Sequence, residues 1–127
     1  MDINTINVIT LAYLGDAIYE VYIREHLIRR GIAKVEELQK EAIKYVSAKS
    51  QAMILKNLID KNYLFDFELD VVKRGRNYKR GNHPKNTDII TYKSATGFEA
   101  LIGYLYLSDN VERIKEIIDL ILGGYNE

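Results

Sequence analysis

Two acids of this chain stand in company that acids usually avoid. Asp16 follows Gly15 in the run Leu11-Ala12-Tyr13-Leu14-Gly15-Asp16-Ala17-Ile18, and Glu99 lies in Phe98-Glu99-Ala100-Leu101-Ile102-Gly103. On a helix, neighbouring side chains lie three and four positions away. Those of Asp16 include Ala12, and those of Glu99 include Ala95, Thr96 and Gly103. A glycine inside a helix costs about 1 kcal/mol against alanine, and it is often kept where another backbone must come close. Two helices crossing at these small residues would bring the carboxylates to one site. Such carboxylates need a compensating charge, and two together repel unless a cation or a shared proton relieves them. An oxygen-only site suits Mg²⁺, which takes one or two protein carboxylates and keeps several waters. That ion can activate water and stabilise a phosphoryl transition state. The competing reading makes each acid a helix cap, or half of a salt bridge with an arginine across a helix contact.

The second feature is charge. Lys73, Arg74, Arg76, Lys79, Arg80 and Lys85 crowd into 13 residues with no acid among them. The chain as a whole has 18 basic and 18 acidic residues, so its zero net charge divides into +6 here and −6 elsewhere. Excess positive charge in one short segment points to a local polyanion contact. Asn77, Asn82, His83 and Asn86 add polar groups suited to phosphates and hydroxyls, and Tyr78 could touch a ribose or a base. A metal-binding acid pair beside a basic loop points to phosphodiester chemistry on a nucleic acid. The other candidates are weaker. His26, near a helix end, reads as a solvated group or a dipole partner. Ser47, Lys49, Ser50 and Gln51 form a polar patch at a helix start, either a simple cap or a phosphate-binding N-terminus. With no cysteine, a disulfide framework, a thiolate zinc site and cysteine catalysis are all excluded.

The elements that must position these residues read as helices. Leu11, Leu14, Ile18, Val21 and Ile28 suggest one, stopped near Gly31. Val35, Leu38, Ala42 and Tyr45 suggest a second. Ala48, Ala52, Leu55 and Leu58/Ile59 suggest a third, capped by Ser47. A shorter one runs around Phe67 to Lys73. Phe98, Leu101, Ile102 and Leu105 define a strong one. Asp109 and Glu112 have capping-box spacing, opening a last helix through Val111, Ile114, Ile117/Ile118 and Ile121 that ends at Gly123-Gly124. Asp88 to Tyr92 could form a short strand, though nothing obvious pairs with it. The segment from Arg74 to Asp88 contains the sole proline, Pro84, and no apolar period, so it reads as a long polar loop, a functional one by its charge. At 127 residues this is one all-α domain of six or seven helices. Neither a signal peptide nor a run long enough for a membrane helix is visible, so no membrane partner is expected.

At Leu11 to Ala17 the chain resembles the signature of the ribonuclease III family, whose core is a Leu-Gly-Asp-Ala run in a helix. Phe98 to Gly103 resembles that family's second acidic motif. The likeness is closer still to its short bacterial Mini-III branch. It includes Lys73-Arg74-Gly75-Arg76-Asn77, Pro84-Lys85-Asn86-Thr87-Asp88, and the run from Tyr92 through Thr96 to Leu105. The resemblance implies a single ribonuclease III-type endonuclease domain over residues 1–127, with a basic loop at 73–88. It implies an endonuclease that cuts double-stranded RNA using Mg²⁺, with Mn²⁺ as a substitute, as a cytoplasmic homodimer maturing large-subunit (23S) ribosomal RNA. A ribosomal protein that presents the substrate is left open. Asp16 and Glu99 are the implied catalytic and metal-binding pair. Lys73, Arg74, Arg76, Asn77, Lys79, Arg80, His83, Lys85 and Asn86 are the candidate RNA contacts. Ordinary ribonuclease III has a Glu four residues before the signature Asp and an Asp three residues before the second-motif Glu. Here those positions are Ala12 and Thr96, which leaves two acids and water in the vacated places. The double-stranded-RNA-binding domain of the longer enzymes is expected to be missing, so binding falls to the basic loop. The alternative for the same fold is a non-catalytic RNA-binding or ribosome-associated module.

Overall fold

In a computed structural model of the chain, residues 1–79 and 88–126 are described. A 3-10 turn over Ile3–Thr5 leads into α1 (Val8–Arg29), α2 (Val35–Val46), α3 (Ala48–Asp60), α4 (Asp66–Arg76), α5 (Ile89–Leu107) and α6 (Val111–Asn126). Among the described residues there is no strand, and the all-α expectation is met with six α-helices.

Helix α5 is the centre, packed against α1, α3, α4 and α6. Its composition dictates this place: nearly every residue from Ala95 to Leu105 is apolar or small, and a helix without a polar face must be buried. The main core joins Tyr19, Ile23 and Leu27 of α1 to Leu55 and Leu58 of α3, to Phe98, Leu101, Ile102 and Leu105 of α5, and to Ile114 and Ile117 of α6. Tyr19 ties three helices together. Its ring meets Phe98 edge-on with centroids 5.0 Å apart, and its hydroxyl donates to the Tyr45 carbonyl at 2.9 Å. A second apolar cluster of Val8, Leu11, Ala12, Val71 and Ala100 fills the space where α1, α4 and α5 converge.

Several local expectations are corrected. The buried stripe of α1 is Leu11, Gly15, Tyr19, Ile23 and Leu27, and Val21 and Ile28 are exposed. The apolar spacing that sequence offers on α1 thus mixes its inner and outer faces. Asp88 to Tyr92 is no strand: Asp88 caps α5, its carboxylate accepting from Thr91 N at 2.9 Å and Thr91 Oγ1 at 2.8 Å. Those hydrogen bonds hold the Asp88 carboxyl below its ordinary range, the backbone bond first. Helix α4 runs on through Arg76, so Lys73, Arg74 and Arg76 form its last turn and not a loop. Helix α6 begins at Val111 and passes through Gly123 and Gly124 to Asn126. Asp109 sits in the left-handed region (φ 62°), one residue too early to be its N-cap. Ser47 does cap α3, accepting from Ser50 N at 3.2 Å.

One buried ion pair anchors α4 to α6. Glu68 is fully buried and receives a bidentate Arg113, Nε to Oε2 and Nη2 to Oε1, each at 2.8 Å. The same Nη2 donates to the Tyr63 carbonyl at 2.8 Å, and Phe65 N donates to Glu68 Oε1 at 2.8 Å. The guanidinium also lies over the Tyr63 and Phe65 rings, 4.5 and 4.4 Å from their centroids. The helix-to-helix salt bridge offered as a competing fate for Asp16 and Glu99 is thus the fate of Glu68.

Candidate active site

The acids are brought together by main chain meeting main chain. Gly15 of α1 lies against the Glu99 backbone of α5. A carbon added at Gly15 would overlap the Glu99 carbonyl oxygen and stand 2.8 Å from Gly103 N; one added at Gly103 would overlap the Leu11 carbonyl oxygen. The crossing therefore depends on two glycines, one from each helix. Asp16, next to Gly15, is exposed at the edge of this crossing, while Glu99 is half-buried. The two carboxyl groups are within hydrogen-bonding reach of each other.

Burial, then the hydrogen bond and the negative charge of Asp16, push the Glu99 carboxyl up to about 8, with the Gln51 amide pulling the other way. Without a cation, a proton held on Glu99 relieves the repulsion. Among the described residues no Lys or Arg forms a salt bridge with either acid. The positions of the two absent acids are closed off: Ala12 and Thr96 are both buried, and the Thr96 hydroxyl donates to the Tyr92 carbonyl at 3.0 Å. No cluster of three or more metal-ligating side chains exists among the described residues. The donor set is two carboxylates, oxygen only, one open to solvent. It fits a hard divalent ion that keeps most of its waters.

The basic turn of α4 is anchored to the same stretch of α5. A carbon at Gly75 would lie 2.9 Å from Gly97 Cα and 3.2 Å from the Thr96 carbonyl, and one at Gly97 would lie 2.7 Å from the Val72 carbonyl. Here too backbone touches backbone, two residues from Glu99. Lys73, Arg74 and Asn77 line a cleft of about 530 Å³ with Asn4, Phe67, Asp70, Val71 and Tyr104. Arg76 is half-buried, and Asn77, Tyr78 and Lys79 are exposed. Arg80, Asn82, His83, Lys85 and Asn86 lie outside the described residues. His26 is neither a freely solvated group nor a cationic dipole partner. It is half-buried and edge-on to Tyr45, and burial and Arg30 lower its pKa.

Gln51 is the neighbour that the sequence places only in the polar patch at a helix start, a cap or a phosphate-binding N-terminus. It is 1% exposed, and its Nε2 lies 3.0 Å from the Val46 carbonyl and 3.5 Å from Glu99 Oε2. The signal available was a polar residue on the inner side of α3, four positions before Leu55.

Residues 9–110 match the family described as the Ribonuclease III domain. The chain belongs to the ribonuclease III family. Within it the relatives are of the Mini-III branch. The Mini-ribonuclease 3 of Brevibacillus brevis is 55% identical over 117 residues, 92% of this chain and 86% of that protein. That of Streptococcus pneumoniae is 45% identical over 118 residues, 93% of this chain and 92% of that protein. An X-ray crystal structure of a Fusobacterium nucleatum protein superposes with a TM-score of 0.86 at 36% identity, covering 98% of both chains. As a ribonuclease III family member the chain is an endoribonuclease. No helix among its described residues is long and apolar enough to cross a membrane.

Proposed function

We propose that this endoribonuclease cuts double-stranded RNA with the aid of Mg²⁺, or Mn²⁺ in its place, and matures large-subunit (23S) ribosomal RNA as a homodimer in the cytoplasm. Residues 1–127 form one catalytic domain. The observation that carries the reading is the meeting of Asp16 and Glu99 at the α1–α5 crossing, with the basic end of α4 seated on the same stretch of α5. Asp16 and Glu99 would hold the metal, which when bound supplies an activated water and offsets charge developing on the phosphate. Asp16 meets solvent, so the scissile phosphate approaches from its side. Glu99 anchors the site from the protein interior.

The remaining residues bind. Lys73, Arg74, Arg76, Lys79, Arg80 and Lys85 supply positive charge for backbone phosphates, with His83 as a further phosphate contact. Asn77 and Asn86 supply amides for 2′-hydroxyls, the features a duplex RNA presents in its shallow minor groove. Such contacts hold the backbone and carry little sequence information. Two features support the homodimer, the two strands of the substrate and an exposed apolar surface. Two strands need two sites, and a two-fold pair of domains supplies them. On α1, Tyr13 (83% exposed), Val21 and Ile28 are exposed apolar side chains, the surface that a second copy of the chain would cover. Any ribosomal protein that presents the RNA would add to this arrangement without replacing it.

The test is cleavage of matched single- and double-stranded RNA with Mg²⁺ and with chelator, on wild type, Asp16→Asn and Glu99→Gln. Both variants should lose cleavage and keep RNA binding. A folded Asp16→Asn protein that cuts like wild type refutes the assignment, and a wild type that binds duplex RNA without cutting it favours the non-catalytic module.

A further inference from the structure

Gln51 enters the site from α3, the helix on the far side of Glu99 from Asp16's solvent edge. It is one of three polar or charged residues in the core of the described structure, with Glu68 and Thr96. Glu68 is matched by Arg113 and Thr96 by the Tyr92 carbonyl. Gln51 is only half matched: its Oε1 is buried and has no hydrogen-bond partner among the described residues. An apolar side chain of similar length would fill the same space without the orphaned Oε1, although the Val46 carbonyl would lose its donor, and unpaired polar atoms are costly in a dry interior. Packing alone therefore does not account for an amide here.

The direction of the amide is set by its surroundings. The Val46 carbonyl can only accept, so the group 3.0 Å from it must be the NH₂ and not the oxygen. The second hydrogen of that NH₂ then points toward Glu99 Oε2 at 3.5 Å. Val46 O lies at the end of α2, immediately before the Ser47 cap that starts α3. The chain thus fixes the amide from a backbone carbonyl, and the amide reaches the carboxylate.

We propose that Gln51 is a positioning residue for Glu99: its amide N–H holds one carboxylate oxygen toward the protein interior, leaving the carboxylate oriented to ligate a divalent ion beside Asp16. The role rests on the metal-dependent reading above. Groups that hydrogen-bond to metal-ligating carboxylates fix their orientation, and removing them commonly lowers metal affinity or activity by about 10–100-fold.

The test is Mn²⁺ titration by calorimetry into wild type, Gln51→Met and, as a second variant, Gln51→Leu. No RNA is present. Melting in chelator and RNA binding in chelator are measured alongside. The expected result is at least a tenfold loss of Mn²⁺ affinity with RNA binding unchanged, a loss well beyond what the modest fall in melting temperature in chelator from the unpaired Val46 carbonyl accounts for. Wild-type Mn²⁺ affinity in a folded variant overturns the proposal. So does a fall in affinity that only keeps step with a lowered melting temperature, because that is what a purely structural residue would give. A wild type that neither binds Mn²⁺ nor cuts duplex RNA refutes the functional reading itself. An active, Mn²⁺-binding wild type with unaltered Gln51 variants refutes only the positioning role.

Discussion

Replacing Gly15 by Ala adds one carbon at the closest approach of α1 and α5. That carbon would stand 2.8 Å from Gly103 N, where ordinary contact begins at 3.4 Å, and it would overlap the Glu99 carbonyl oxygen as well. Both atoms are backbone and cannot rotate away. The helices must part by at least about 0.6 Å to clear the nitrogen, and by more to clear the oxygen. Helix propensity favours Ala by about 1 kcal/mol, whereas overpacking a filled contact costs about 1–3 kcal/mol and more where nothing can yield. The clash should win, leaving a net loss of about 2 kcal/mol, or a fall in melting temperature on the order of 8 °C for a chain of this size. The effect on cleavage should be larger than the effect on stability. Asp16 and Glu99 belong to the two helices being separated, and a displacement near 1 Å can cost about 10²-fold in rate. Thermal melting and initial cleavage rates measure both effects. Gly123→Ala is the control, since nothing lies within 4 Å of a carbon added there; it should keep wild-type activity. A Gly15→Ala protein with unaltered melting and rate would refute the claim that backbone contact sets the acid spacing.

Other outcomes follow from the charges. In chelator the Glu99 carboxyl holds its proton up to about 8, while in the unfolded chain it releases it near 4.5. Between those values the folded state binds more protons, so stability should fall as pH rises through that window and level off above it. Melting in chelator across the window should show the decline, and Glu99→Gln should flatten it; a slope that persists in the variant assigns it to another group. Arg113→Ala strips the fully buried Glu68 of its partner and should cost about 3–5 kcal/mol in urea unfolding. A cost below about 1 kcal/mol would mean water reaches Glu68. Arg76→Ala, Lys79→Ala and Arg80→Ala should each weaken duplex RNA binding and lower the slope of log K against log salt by roughly 0.7–0.9 for every phosphate left without its cation. An unchanged slope in the triple variant removes that segment from the RNA interface.

The helices are legible in the sequence because their apolar periods are strong: Ile114, Ile117, Ile118 and Ile121 of α6 are all buried, as are Phe98, Leu101, Ile102 and Leu105 of α5. The phase of α1 is not, because apolar side chains occur on both of its faces and only packing tells them apart. The meeting of Asp16 and Glu99 is legible from the small residues around each, since Gly15 and Gly103 let the two backbones touch. The basic turn reads as loop for a physical reason. Lys73, Arg74 and Arg76 have no apolar period, yet at a helix C-terminus their charges favour the helix dipole, and Gly75 is held there by Gly97. Gln51 and the Glu68–Arg113 pair could not be read from sequence, because each joins residues 45 or more positions apart, and no local pattern announces such partners.

The crossing at Gly15 also decides when this molecule becomes complete. Its two acids are separated by more than eighty residues of chain, and neither has its partner until the first and fifth helices have docked. A nascent chain that has emerged only through α4 carries Asp16 alone. Contacts so distant in sequence are entropically late to close. Assembly of the acid pair thus coincides with assembly of the core around Tyr19 and Phe98, and under the proposed function a partly folded chain would be inert towards the RNA around it.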